Sequence, residues 1–141
     1  MKKATSRIIS FAIAAVLLCA MTTAAFAASF SGRVLFTHLG ASYEAKYSQQ
    51  VNATSSSVSA SLQIDSSYQG PAWSGMTFIS INGFGITDDG TIKSLASGYD
   101  GGITECYAGG TNTTKYKILY ALCEATIGGT DLPQRQVPAG G

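Results

Sequence analysis

Apart from its many serine and threonine hydroxyls, this chain offers little to acid–base or nucleophilic chemistry: one imidazole, three thiols and eight scattered carboxylates. Cys19 falls within an N-terminal apolar stretch, which leaves Cys106 and Cys123. An even number of cysteines in an exported chain is most simply one disulfide. In the loop-entropy picture, a ring of this size contributes about 3 kcal/mol. A symmetric hairpin through Gly109–Thr114 would set Cys106 opposite Lys117, so the bridge is expected between non-neighbouring strands or across an irregular connection. A zinc site would want four ligands, and a redox pair the closer Cys-x-x-Cys spacing.

His38 is the one histidine. Joined to a serine and an aspartate it would make a hydrolytic triad, but no Gly-x-Ser-x-Gly elbow presents a nucleophile, so a structural or exposed imidazole is expected. Glu44, Glu105 and Glu124 fall on different segments, whereas glycoside hydrolysis needs two carboxylates facing across a cleft. Asp88-Asp89-Gly90 lacks the alternating oxygen ligands and later bidentate acid of a calcium loop; it reads as a hairpin turn. Phosphate-loop, dinucleotide and EF-hand patterns are missing. The reading assigns no catalytic residue, no cofactor and no metal. Tyr68 and Trp73, set among Gly70, Pro71 and Gly75, are the candidate binding surface, with capping of a core as the commoner use of such rings.

The elements that position these residues begin after an export signal. Lys2, Lys3 and Arg7 precede an apolar core from Ile8 to Cys19, and Ala25-Phe26-Ala27 supplies a small-x-small cleavage site. Residues 1–27 are therefore expected to be removed, and Leu18 directly before Cys19 argues against lipid attachment. Three of the nine basic residues leave with the signal, so six face eight acids, a formal charge of about −2. Nucleic-acid binding needs clustered Lys and Arg, and Lys115 with Lys117 is the one close pair.

Residues 28–129 read as one all-β domain, a small antiparallel β-sandwich or partly open barrel. Val58, Ala60, Leu62 and Ile64 alternate with Ser59, Ser61, Gln63 and Asp65, placing one face in a core and a serine ladder in solvent. Tyr43, Ala45 and Tyr47 alternate with Glu44, Lys46 and Ser48 in the same way. Ser29–Thr37 is a first strand, the run from Asn52 to Ser57 a loop, and Met76–Ile86 a strand with a bulge near Gly83. A three-residue Asp88-Asp89-Gly90 loop sets Thr87 opposite Thr91 and Ile86 opposite Ile92. Ser97–Gly102 is expected as a loop and Ile103–Tyr107 as a strand. Tyr116–Ile127 has strand-type residues on both faces and is expected at the centre, ended by Gly128-Gly129. Residues 130–141 are expected as a flexible tail. Its Leu132-Pro133-Gln134-Arg135-Gln136 half resembles a wall-sorting signal but has no hydrophobic segment and basic tail behind it. Asn52-Ala53-Thr54 and Asn112-Thr113-Thr114 match the glycosylation pattern.

An export signal followed by Ser/Thr-rich alternating strands is similar in style to small exported proteins of Gram-positive bacteria. The expectation is a secreted, extracellular, non-enzymatic binding or structural domain, without a membrane span in the mature chain and with an extracellular partner or surface as its target. An antimicrobial or toxin-like protein is the alternative, although no cationic amphipathic segment is present for membrane attack. A small hydrolase built on His38 or a carboxylate pair is the third reading.

Overall fold

A computed structural model describes residues 26–140. The expected export signal lies outside the described residues except for its last two positions. The described chain forms nine strands: β1 (Phe26–His38), β2 (Ala41–Ala53), β3 (Ser57–Ile64), β4 (Thr77–Ile86), β5 (Ile92–Gly102), β6 (Glu105–Thr111), β7 (Tyr120–Ile127), β8 (Thr130–Asp131) and β9 (Arg135–Pro138). They make two antiparallel sheets packed face to face, β1-β2-β3-β6 and β5-β4-β7-β8, with β9 also pairing β7. No described helix is long and apolar enough to cross a membrane.

Turn chemistry sets the first sheet. Leu39 and Gly40, at φ 49° and 81°, join β1 to β2, and two consecutive left-handed residues match the twist of a tight hairpin. The ladder then runs unbroken from His38↔Ala41 to Phe26↔Ala53. The loop expected over Asn52–Ser57 is shorter than the polar composition implies. Asn52 and Ala53 stay in β2 and Ser57 opens β3, because the Thr54 hydroxyl accepts the N–H groups of Ser56 and Ser57 at 3.2 and 3.0 Å. A side chain thus replaces part of the backbone pairing.

In the second sheet, β7 lies between β4 on one side and β8 and β9 on the other, as expected of the central strand. It starts at Tyr120 and not at Tyr116. Residues 112–119 form an irregular connection, in which Asn112 Nδ2 donates to the Tyr116 carbonyl at 2.6 Å and Asn112 Oδ1 accepts the Thr114 N–H at 3.0 Å. Ile118 is nevertheless buried. The Asp88-Asp89-Gly90 hairpin has the expected register, with Ile86 opposite Ile92 and the Thr87 N–H on the Thr91 carbonyl. The bulge falls where Gly83 suggested a break, but Leu95 of the partner strand is the extra residue.

Two expectations are corrected. Ser97–Gly102 is strand, not loop, paired to β4 from Ser97↔Asn82 to Gly102↔Thr77. Its glycines serve close approach: a Cβ on Gly98 would strike the Gly109 carbonyl, and one on Gly110 the Ser97 carbonyl, where β5 and β6 meet along the side of the sandwich. Thr130–Pro138, expected loose, supplies β8 and β9. Gly128 and Gly129, at φ 59° and 82°, reverse the chain in two residues, after which Leu132, Val137 and Ala139 bury their side chains. The apolar positions of a segment punctuated by prolines proved sufficient to hold it against β7.

The core is the sum of the inward alternations. Val51, Val58, Ala60 and Leu62 from the first sheet face Ile79, Ile81, Ala121, Cys123 and Ile127 from the second. The outward positions of β1, β2, β3 and β6 are left to form one polar surface.

Candidate binding face

Register places that polar surface row by row. Ser29, Gln50, Ser61 and Tyr107 stand side by side across the four strands; the next row is Ser31, Ser48, Gln63 and Glu105, and the row on the other side is Ala27, Asn52, Ser59 and Gly109. Rows on one face repeat about every 7 Å along the strands. The serine ladder read from β3 is here, flanked by amides from β2 and β3 and by one aromatic ring from β6.

The face is not flat. Depressions of about 580, 540 and 220 Å³ lie along it. The first two share Ser48 and Gln63, and the second and third share Gln50, Ser61 and Tyr107, so the three adjoin in a line along the strands, a shallow segmented trough. Tyr107 is 63 % exposed and stands between two of the depressions. Its backbone is fixed from the neighbouring sheet: Asp100 Oδ2 accepts the Tyr107 N–H at 3.0 Å. Charge lies toward the ends and edge. Arg33, Lys46 and Asp65 line the first depression, Asp100 and Glu105 the second, and the third holds no charged side chain. Arg33 is also engaged by Glu44 at 3.4 Å. On the floor of the third depression, the buried amide oxygen of Asn52 has no hydrogen-bond partner among the described residues.

Of the residues singled out for chemistry, Glu105 and the buried Cys106 line the second depression, and the others are placed elsewhere. Tyr68 and Trp73 pack against the core's end, each ring 6.1 Å from Phe36, and the Tyr68 hydroxyl donates to the Pro71 carbonyl at 2.7 Å. His38 lies flat on Trp73, with centroids 4.0 Å apart and planes 9° from parallel. It is not among the residues of the trough. Glu44, Glu105 and Glu124 sit on β2, β6 and β7, the last in the other sheet, where Gln134 donates to it at 3.0 Å.

The expected disulfide is absent: Cys106 and Cys123 are buried free thiols. They do lie on non-neighbouring strands, one in each sheet. Each points into the core with a polar neighbour of its own. Gln49 Nε2 donates to Cys123 Sγ at 3.2 Å, and the Thr77 hydroxyl is beside Cys106. Burial pushes the Cys123 thiol up to about 11 and raises Cys106 as well, so neither resembles an activated nucleophile. Among the described residues no group of three or more His, Cys, Asp and Glu is placed so that it could hold a metal ion.

Tyr107 and the amides of Gln50 and Gln63 were passed over in the sequence. The signal was present in the alternation of Glu105, Tyr107 and Gly109 with Cys106, Ala108 and Gly110, which turns the ring outward. The molecule is a two-sheet antiparallel β-protein carrying a line of adjoining polar depressions on one sheet. The chain matches no protein-family model, no curated protein and no solved structure.

Proposed function

We propose that this is a secreted, non-enzymatic binding domain that engages an extracellular target with the trough on its first sheet. The observation that carries the reading is the alignment of three adjoining depressions lined by hydroxyls, amides and one exposed ring. Of the catalytic candidates Glu105 lines it, but His38, Glu44 and Glu124 do not. The thiols are buried and protonated at neutral pH, and the imidazole is stacked against an indole. Converging polar groups around a concave surface, without an activated acid, base or nucleophile among them, suit recognition.

The test uses protein beginning at Ala28, incubated with the cell-surface fraction of the producing organism. The wild type should be retained. Ser61→Arg, which plants a bulky cation in mid-trough, should abolish retention with an unchanged thermal midpoint, while Trp73→Phe at the core's end should leave retention intact. Retention indifferent to Ser61→Arg would overturn the reading.

A further inference from the structure

We infer that the trough takes a linear, uncharged polysaccharide, with Tyr107 as the platform for one sugar ring. This rests on the binding reading above and names the ligand class for the same face.

The lining is unusual in composition. Ser29, Ser31, Ser48, Ser59 and Ser61 each present a hydroxyl able both to donate and to accept, and Gln50 and Gln63 each present a donor and an acceptor on one planar amide. A polyol requires this pairing, because neighbouring hydroxyls on a sugar ring each want one partner of either kind. A pyranose also has an apolar C–H face whose hydrogens carry partial positive charge, and an aromatic ring offers a negative face to it. Tyr107 supplies that face, exposed and held by Asp100 from the adjoining sheet. From the Lys46 row to the Asn52 row the trough extends about 20 Å along the strands, so it suits a chain of rings and not a single small molecule.

Other polymers fit less well. A nucleic acid or an acidic polysaccharide would bring its charge against Asp100 and Glu105, and the basic pair at the far end is already accompanied by Glu44 and Asp65. An extended peptide is held by unpaired backbone groups at a sheet edge, whereas β2 and β3, which carry the middle of the trough, are paired on both sides. A lipid surface would need apolar side chains where the rows carry hydroxyls.

The test is affinity electrophoresis of the protein beginning at Ala28 through gels containing soluble glucans, mannans, xylans or galactans, with polygalacturonate as the charged comparison. At least one uncharged polymer should retard the protein, to an extent little changed by added salt. Tyr107→Ala should weaken that retardation at least about tenfold, Tyr107→Trp should preserve it, and Gln63→Ala should weaken it by a smaller factor with the thermal midpoint unchanged. Retardation by polygalacturonate alone, or retardation insensitive to both Tyr107→Ala and Gln63→Ala, overturns the inference. If no uncharged polymer retards the protein while Ser61→Arg still abolishes retention on the cell surface, the glycan assignment falls and the binding reading stands. If neither behaviour is seen, both fall.

Discussion

Leu39 occupies the first position of a left-handed two-residue turn with 93 % of its surface exposed. A branched apolar side chain there is unfavourable twice over, since its Cβ disfavours positive φ and its surface faces water. Leu39→Asn, which tolerates the conformation, should stabilise the protein by about 1 kcal/mol in urea denaturation. A loss of stability would mean that the leucine makes a contact the turn depends on. Cys123 gives a second residue-level prediction. Its folded-state value lies above the ordinary 9.0, so the protonated thiol is the form the fold favours. The associated stability is fully present below pH 9 and is lost as pH rises toward about 11, by on the order of 2 kcal/mol. Burial also raises Tyr68 and Tyr120, which adds to the loss above their ordinary value of 10.0. A Cys123→Val variant should therefore show a flatter urea midpoint between pH 9 and 10; an identical pH profile would assign the alkaline sensitivity elsewhere. Native protein should also take up iodoacetamide at neither thiol near neutral pH, and at both in denaturant.

At the scale of elements, the hairpin joining β4 to β5 and the side where β5 meets β6 depend on different physics. In the hairpin, Asp89 accepts from the Thr87 and Thr91 hydroxyls at 2.5 and 2.7 Å and from the Thr91 N–H at 3.2 Å. These bonds, led by the Thr87 hydroxyl, hold its carboxyl well below the usual carboxylate range. The sign is opposite to that of the thiol: the contribution is present above pH 3.8 and fades as acid protonates the group. Asp89→Asn should lower the thermal midpoint at neutral pH and reduce its fall between pH 4 and 2. Where β5 meets β6 there is no room for a side chain. Gly110→Ala should cost about 2 kcal/mol or more, because its Cβ would meet the Ser97 carbonyl and backbone must move. Gly101→Ala, whose nearest neighbour would be the Thr77 carbonyl at 3.6 Å, is the matched control and should be nearly neutral.

For the molecule as a whole, alternation made the two-sheet plan legible, because Val58 to Ile64 and Tyr43 to Tyr47 bury every second residue as their pattern implies. The Asp88-Asp89-Gly90 register was legible for a similar reason: a three-residue loop ending in glycine admits few geometries. The rest depended on contacts that sequence does not display. Ser97–Gly102 has the look of a loop because its glycines suggest flexibility, yet Gly98 and Gly102 answer to the nearness of β6. The segment from Thr130 looked loose because its prolines punctuate it, while Leu132 and Val137 were too widely spaced to show a period. Cysteine parity pointed to a bridge, but pairing depends on where the thiols lie in the two sheets. The trough was half visible, its serines as a solvent ladder and its ring only after β3 and β6 were known to be neighbours.

The two long sides of the sandwich are fastened differently, and the difference has a consequence in time. Along β5 and β6, a carboxylate from one sheet caps a backbone amide of the other, and glycine backbones approach at contact distance. Along β1 and β9, the Arg135 guanidinium rests over the Phe30 ring at 4.5 Å, and one backbone bond, from the Gly140 N–H to the Ala53 carbonyl at 3.0 Å, ties the segment after β9 to the end of β2. Opening fluctuations should swing about the first side as a hinge and begin at the second as a latch, because the smaller set of contacts is lost first. Amide hydrogen exchange should then be fastest in β9 and at the outer edge of β1 and slowest in β4 and β7, with Arg135→Ala speeding the former and sparing the latter. Uniform exchange over all these strands would mean that the sheets separate together and that neither side acts as a hinge.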